Sequence, residues 1–118
     1  MRICITSKGK ELTDQLDERF GRCSYLLVVD TSSGAVESLK NPGVLVDHGA
    51  AIAAAQRVLD AQVDVLLTGN LGPNAEGMLE SHNMTVYQAR NCSVQEALAA
   101  YQAGQLKQLL SVRTGAEQ

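Results

Sequence analysis

Val63–Asn74, VDVLLTGNLGPN, decides how this chain is read. Its first half, Val63–Thr68, is a short apolar run rich in β-branched residues, the pattern of a buried strand. Gly69–Asn74 (GNLGPN) is a glycine-rich turn, and Pro73 suits the first position of a helix because it has no N–H to leave unpaired. Ala75, Met78, Leu79 and His82 then share one helical face. A strand passing through a tight turn into a helix is half of a β-α-β unit. Thr85–Gln88 supplies the next strand, reached by a right-handed parallel crossover.

The pattern extends in both directions. Towards the C-terminus, Ser93 and Glu96 form an S-x-x-E capping box. Val94, Ala97, Leu98 and Tyr101 follow at helical spacing, and Gly104 ends the helix. The segment after Lys107 is expected to add one turn, and the tail after Arg113 to be loose. Towards the N-terminus, Gly49–Ala61 reads as a helix with Ile52, Ala55 and Leu59 on its inward stripe. Tyr25–Asp30 (YLLVVD) is apolar almost throughout, as in a strand covered on both faces. It turns at Thr31–Gly34 into a hairpin partner, Ala35–Lys40, which Asn41-Pro42-Gly43 breaks. Arg2–Thr6 is another β-branched strand. Leu12, Leu16 and Phe20 recur every four residues ahead of Gly21, which predicts a short helix ending near Phe20. The fold class is therefore α/β, with a mixed five-stranded sheet between helices on both faces, in a single domain spanning 1–118.

The chain has 118 residues, of which 10 are Lys or Arg and 13 are Asp or Glu, a net charge of −3. That length makes one domain, which buries roughly two-thirds of its unfolded surface and needs no disulfide framework to fold. A hydrophobic fraction of 45% against 19% charged excludes a disordered chain. Mild acidity and few aromatics argue against nucleic-acid binding. No apolar run reaches the roughly 20 residues of a membrane span. The N-terminus, MRICITSKGK, has no signal-peptide pattern. With three widely spaced cysteines, Cys4, Cys23 and Cys92, this predicts free thiols and a cytoplasmic location. No CxxC pair or GxSxG elbow is present, so a closed zinc site and a nucleophile triad are both poorly supported.

Ligands of an open α/β sheet gather outside the carboxyl ends of its strands. Three segments are expected there: Ser7–Arg22, Asp47–Ala50 and Gly69–Asn74. In the last, Gly69 and Gly72 are expected to allow positive φ and close backbone approach, while the helix start and the side chains of Asn70 and Asn74 supply donors for an anion. An ordinary strand-to-helix turn would carry the same residues. In ERFGRC, Arg19 and Arg22 flank a tight turn and could form a second anion contact. The bland alternative is a solvated pair bridged to Asp17 or Glu18. Cys23 lies beside Arg22, whose charge would favour the thiolate and soft-metal binding, and a buried strand-start residue is the competing reading. His48, just before Gly49, could ligate copper or iron through a neutral ring nitrogen, or serve as a cap-region residue.

Taken together, ERFGRCSYLLVVD, VDHGAAIAAAQ and VDVLLTGNLGPNA resemble, in order, the three motifs of the dinitrogenase iron–molybdenum cofactor biosynthesis family, which takes in NifX, NafY and the C-terminal part of NifB. The resemblance runs from Arg2 to about Leu109. It implies a ribonuclease-H-like α/β/α fold and a protein that binds or carries a metal–sulfur cluster and is not an enzyme. The chain's size is most similar to that of the family's small stand-alone members, which hold a molybdenum–copper sulfide cluster non-covalently. The family commonly has His where this chain has Arg19, which exchanges a ligand for a cation. The expected cofactor is thus a molybdenum–copper sulfide cluster, or alternatively the iron–molybdenum cofactor or a precursor. Cluster-assembly proteins are the expected partners of a monomer. Cys23 and His48 are the candidate metal ligands, with Arg19, Arg22, Gly49, Asn70, Gly72 and Asn74 completing the candidate site. A regulatory domain binding a phosphorylated small molecule at GNLGPN is the reading from a different class.

Overall fold

The computed structural model describes residues 1–110. In chain order these form β1 (Arg2–Ser7), β2 (Tyr25–Asp30), β3 (Val36–Lys40), a 3-10 turn (Pro42–Leu45), α1 (Ala50–Asp60), β4 (Val65–Thr68), α2 (Pro73–Ser81), β5 (Thr85–Gln88), α3 (Val94–Gln102) and β6 (Lys107–Leu110). The strands make one sheet in the order β3-β2-β1-β4-β5-β6. β1, β4 and β5 are parallel, and the β1–β2, β2–β3 and β5–β6 pairs are antiparallel.

The alternating pleat explains why the central strands are apolar along their length. Cys4, Leu26, Val28 and Leu66 face a core covered by Ala54, Ala55 and Val58 of α1 and by Ala75 and Leu79 of α2. Ile3, Ile5, Leu27, Val29, Val65 and Leu67 face the opposite core, covered by Val94 and Ala97 of α3. Helices therefore lie on both sides of the sheet, as the strand pattern requires. The Ser93–Glu96 capping box starts α3 as expected, and Gly104 lies in the left-handed region just beyond its end.

Four expectations need correction. The sheet has six strands, because Lys107–Leu110 pairs antiparallel with β5 where a further turn was expected. Residues 111–118, including the tail after Arg113, lie outside the described residues. Leu12, Leu16 and Phe20 form no helix. Leu16 is buried in the α3-side core and Phe20 in the α1/α2-side core, so the segment crosses the end of the sheet from one face to the other. It is held there by bridges from Leu16 to Ser7, from Gln15 to Ser93 and from Arg19 to Asn70. An interval of four residues thus reports two different cores and not one helical stripe. The inward stripe of α1 is centred on Ala54, Ala55 and Val58, which leaves Ile52 exposed. His82 is exposed at the C-cap of α2, with Nδ1 3.0 Å from the Met78 carbonyl oxygen, and is not part of the apolar face.

Candidate functional site

β1, β3, β4 and β5 all run in one direction, so the loops that follow them leave from the same end of the sheet. α1 leads into the start of β4 and α2 leaves its end, so both helices run against the strands. Their N-termini therefore gather at the carboxyl end of the sheet, on the same face, and the two helices pack against each other. Neither start is capped by a side chain. The N-cap of α1 is Gly49, at φ 74°, a conformation that favours glycine. The N-cap of α2 is Gly72, followed by Pro73. Each terminus exposes backbone N–H groups at the positive end of a helix dipole.

A hydrogen-bonded frame supports this end. Thr6 Oγ1 donates to the Asp17 carbonyl at 2.6 Å and shares a 3.0 Å hydrogen bond with Thr68 Oγ1. The Asp17 N–H returns to the Thr6 carbonyl at 3.0 Å, and the Asn70 N–H donates to the Glu18 carbonyl at 3.0 Å. The segment Asp17–Arg19 is thereby laid against the β4–α2 turn. Gly69 is needed at that crossing: a Cβ there would sit 2.3 Å from Glu18 Cβ. At Gly72 nothing lies within 4 Å, and neither Gly69 nor Gly72 has positive φ, so the expected left-handed geometry is not found at either.

The two arginines of ERFGRC are held by different partners. Arg19 turns back onto Asp17, with Nε 3.1 Å from Oδ1 and Nη2 2.9 Å from Oδ2. The Asp17 side chain is only 2% exposed, while that of Arg19 is 68% exposed. Burial pushes the Asp17 carboxyl up, but the Arg19 hydrogen bonds and charge more than offset it and hold the group below its ordinary value. The same pair raises the Arg19 guanidinium. Arg22 points elsewhere, donating through Nη1 to the carbonyls of Gly43 at 3.1 Å and Val46 at 3.0 Å. It pins the loop that carries His48. A bridge to Asp17 was the bland alternative for these arginines, and Arg19 makes it.

Cys23 is buried. Its Sγ donates to the Phe20 carbonyl at 3.4 Å and accepts from Asn41 Nδ2 at 3.2 Å. Burial pushes the thiol up to about 12, so the thiolate expected from the neighbouring Arg22 does not form at neutral pH. Cys4 is likewise buried and raised by desolvation. His48 and Gly49 are exposed beside the start of α1, and Asn74 is exposed in the first turn of α2. Among the described residues, no three His, Cys, Asp or Glu side chains are grouped to hold a metal ion.

Asn70 is engaged with a residue that the sequence reading missed: Arg90 Nη2 donates to Asn70 Oδ1 at 2.7 Å. Glu18 reaches the same loop, its Oε2 accepting from the Asn91 N–H at 3.1 Å. The rule that singled out three loops applies equally to the exit of Thr85–Gln88, and following it would have reached Arg90. Lys8, Arg19, Asp17, Glu18 and Asn91, with Gln15 and Leu16, also line a cavity of about 280 Å³.

Residues 1–104 match the profile of the dinitrogenase iron–molybdenum cofactor family. Among solved structures, the apo orange protein of Desulfovibrio gigas is 33% identical, with 96% of each chain covered and a TM-score of 0.87. A candidate NifB protein from Thermotoga is 32% identical, with 97% of each chain covered and a TM-score of 0.81. An uncharacterised protein of Methanocaldococcus jannaschii is 25% identical over 97 residues, which is 80% of this chain and 82% of the relative.

Proposed function

This chain belongs to the dinitrogenase iron–molybdenum cofactor family, and from that premise we propose that it binds and carries a molybdenum–copper sulfide cluster held without bonds from protein atoms to the metals. The family links the chain to cofactor and cluster binding, and we read it as a carrier and not a catalyst. The observation that carries the reading is the pairing of two uncapped helix N-termini, α1 at Gly49 and α2 at Gly72, on one face of the sheet end. A thiometallate is a polyanion with soft sulfur edges. Backbone N–H groups and dipole ends can hold it by charge and hydrogen bonds. The side chains fit such a cargo better than a ligated metal ion. Cys23 is a buried thiol already bonded to Phe20 and Asn41, and the described residues offer no closed donor set. Asn74 lies beside the cargo as a donor, Arg22 fixes the loop leading to α1, and Arg19 is restrained by Asp17.

His48 is exposed and hydrogen-bonds to no described residue, so its ring nitrogen is available to a metal. That observation, with the likeness to a candidate NifB protein, supports a second reading in which the cargo is the iron–molybdenum cofactor or a precursor passed among assembly proteins. A monomer with a ribonuclease-H-like sheet completes the proposal. The β1–β2–β3 antiparallel set beside parallel β4 and β5 supports that fold assignment. No helix among the described residues is long and apolar enough to cross a membrane.

Anaerobic reconstitution with tetrathiomolybdate and Cu(I), then desalting, tests the reading. Retained sulfide-to-molybdenum charge-transfer bands with stoichiometric Mo and Cu are the expected result. Iron with molybdenum, in protein taken from its native host, would favour the second reading. Protein that keeps neither metal, yet binds a phosphorylated small molecule, overturns both.

A further inference from the structure

We infer that Arg90 supplies an uncompensated positive charge that draws an anion to the β4–α2 turn, and that Asn70 is its positioning residue. The inference rests on reading this end of the sheet as an anion cradle, and it assigns the cationic role to a residue outside the three family motifs.

Arg19, Arg22, Lys8 and Arg90, near the carboxyl end of the sheet, are held in different ways. The charge of Arg19 is matched by the buried Asp17 carboxylate, with two side-chain hydrogen bonds fixing the pair. Arg22 is held on the loop before α1 by the carbonyls of Gly43 and Val46, away from the β4–α2 turn. Lys8 lines the 280 Å³ cavity together with Asp17, and its charge helps to hold that carboxyl down. Arg2 is at the opposite end of the sheet, on the Ala61 carbonyl, and Arg57 is in the last turn of α1. Among the described residues, Arg90 differs from Arg19 in having no acid partner, and from Arg22 in being held on the β4–α2 turn itself. Its partner is a neutral amide oxygen, Asn70 Oδ1 at 2.7 Å, and among the described residues it has no carboxylate partner. The nearest acid in this loop, Glu18, is turned to the Asn91 N–H. A guanidinium has five N–H donors, so four remain for a ligand. Asn70 is two residues from Gly72, at most about 7 Å along the chain, which places the held guanidinium beside the start of α2. A soft anion seated on the α2 amides therefore has in Arg90 a cation held on the same turn.

The geometry separates two effects of changing Asn70. Asn70→Asp keeps an oxygen acceptor for Arg90 but cancels its charge, as Asp17 does for Arg19. The new carboxylate also repels an anion directly, and in an Arg90→Ala background only that repulsion remains, so a smaller effect of Asn70→Asp there measures the cancellation. The probe is tetrathiomolybdate alone, titrated at low and high salt by its charge-transfer absorption, with circular dichroism to check the fold. Arg90→Ala and Asn70→Asp are each expected to raise the Kd about tenfold at low salt, the difference shrinking at high salt, and Arg90→Lys to recover most of the affinity. Wild-type binding with Arg90→Ala within twofold of it overturns this inference alone. So does weakened binding by Asn70→Ala with unchanged binding by Asn70→Asp. No binding by wild type overturns the anion cradle together with it.

Discussion

Replacing Gly69 with alanine is expected to destabilise the protein by about 2–3 kcal/mol, while Gly72→Ala in the same turn changes stability by less than about 0.5 kcal/mol. The difference comes from what each new methyl group meets. At Gly69 it would lie 2.3 Å from Glu18 Cβ and 2.5 Å from Glu18 Cα. Carbon atoms settle at about 3.5–4.0 Å, so the crossing segments must separate by roughly 1 Å or more. Part of what they contact is backbone, which cannot rotate away. Separation also stretches the 3.0 Å bond from the Asn70 N–H to the Glu18 carbonyl, a loss of about 0.5–1.5 kcal/mol on top of an overpacking cost of about 1–3 kcal/mol. The reduced freedom of the unfolded chain returns about 0.4–1 kcal/mol, which leaves the stated net. At Gly72, with φ −79° and ψ 169°, no atom lies within 4 Å, and the weaker capping by alanine is offset by the same unfolded-state gain. Urea denaturation followed by circular dichroism reads the difference directly. The melting temperature of Gly69→Ala should fall by roughly 8–12 °C. Equal stability of the two variants, in either direction, would refute the claim that the turn is pressed against Glu18 at one glycine and open at the other.

The remaining predictions concern individual side chains. The Asp17 carboxyl titrates below its unfolded value of 3.8, so its contribution is fully present above about pH 4 and is lost as pH falls through the lower folded value. Asp17→Asn should therefore be less stable than wild type at neutral pH, with the gap closing in acid. It should also bind tetrathiomolybdate severalfold more tightly by releasing the charge of Arg19. A constant gap from pH 7 to pH 2 would remove the ion pair from the account. Asn41→Leu should cost about 2–4 kcal/mol in thermal melts, because it strands the Gly43 N–H that Asn41 now satisfies at 2.9 Å and leaves the Phe20 carbonyl with only the weak Cys23 thiol in place of its 3.1 Å amide donor. A loss under about 1 kcal/mol would mean that water replaces both contacts. In native protein, an aromatic disulfide reagent should modify Cys92 and leave buried Cys4 and Cys23 untouched. Cys23→Ser should still take up molybdenum and copper, with only a modest loss of affinity, and complete loss with the fold intact would show direct ligation.

What the sequence determined by itself is the local and the repetitive. A run such as Tyr25–Asp30 must bury both faces, Pro73 must open a helix, and Ser93 with Glu96 must close a capping box. Each of these follows from steric and hydrogen-bond rules within a few residues, and the structure keeps all three. Three motifs in order were also enough to indicate the family, because tight turns tolerate few residue types. Tertiary structure decided the rest, where the outcome depends on atoms far apart in the chain. Leu16 and Phe20 are four residues apart, yet they enter cores on opposite sides of the sheet, and no periodicity distinguishes that from a helix. Lys107–Leu110 became a strand because β5 had a free edge to pair with. The charges were least legible of all. Arg19, Arg22 and Arg90 are alike in sequence, but one meets a buried carboxylate, one meets loop carbonyls and one meets a neutral amide. Coulomb energies fall with distance and depend on burial. The partner that tertiary packing brings within about 3 Å therefore decides whether a cation is spent or left free for a ligand.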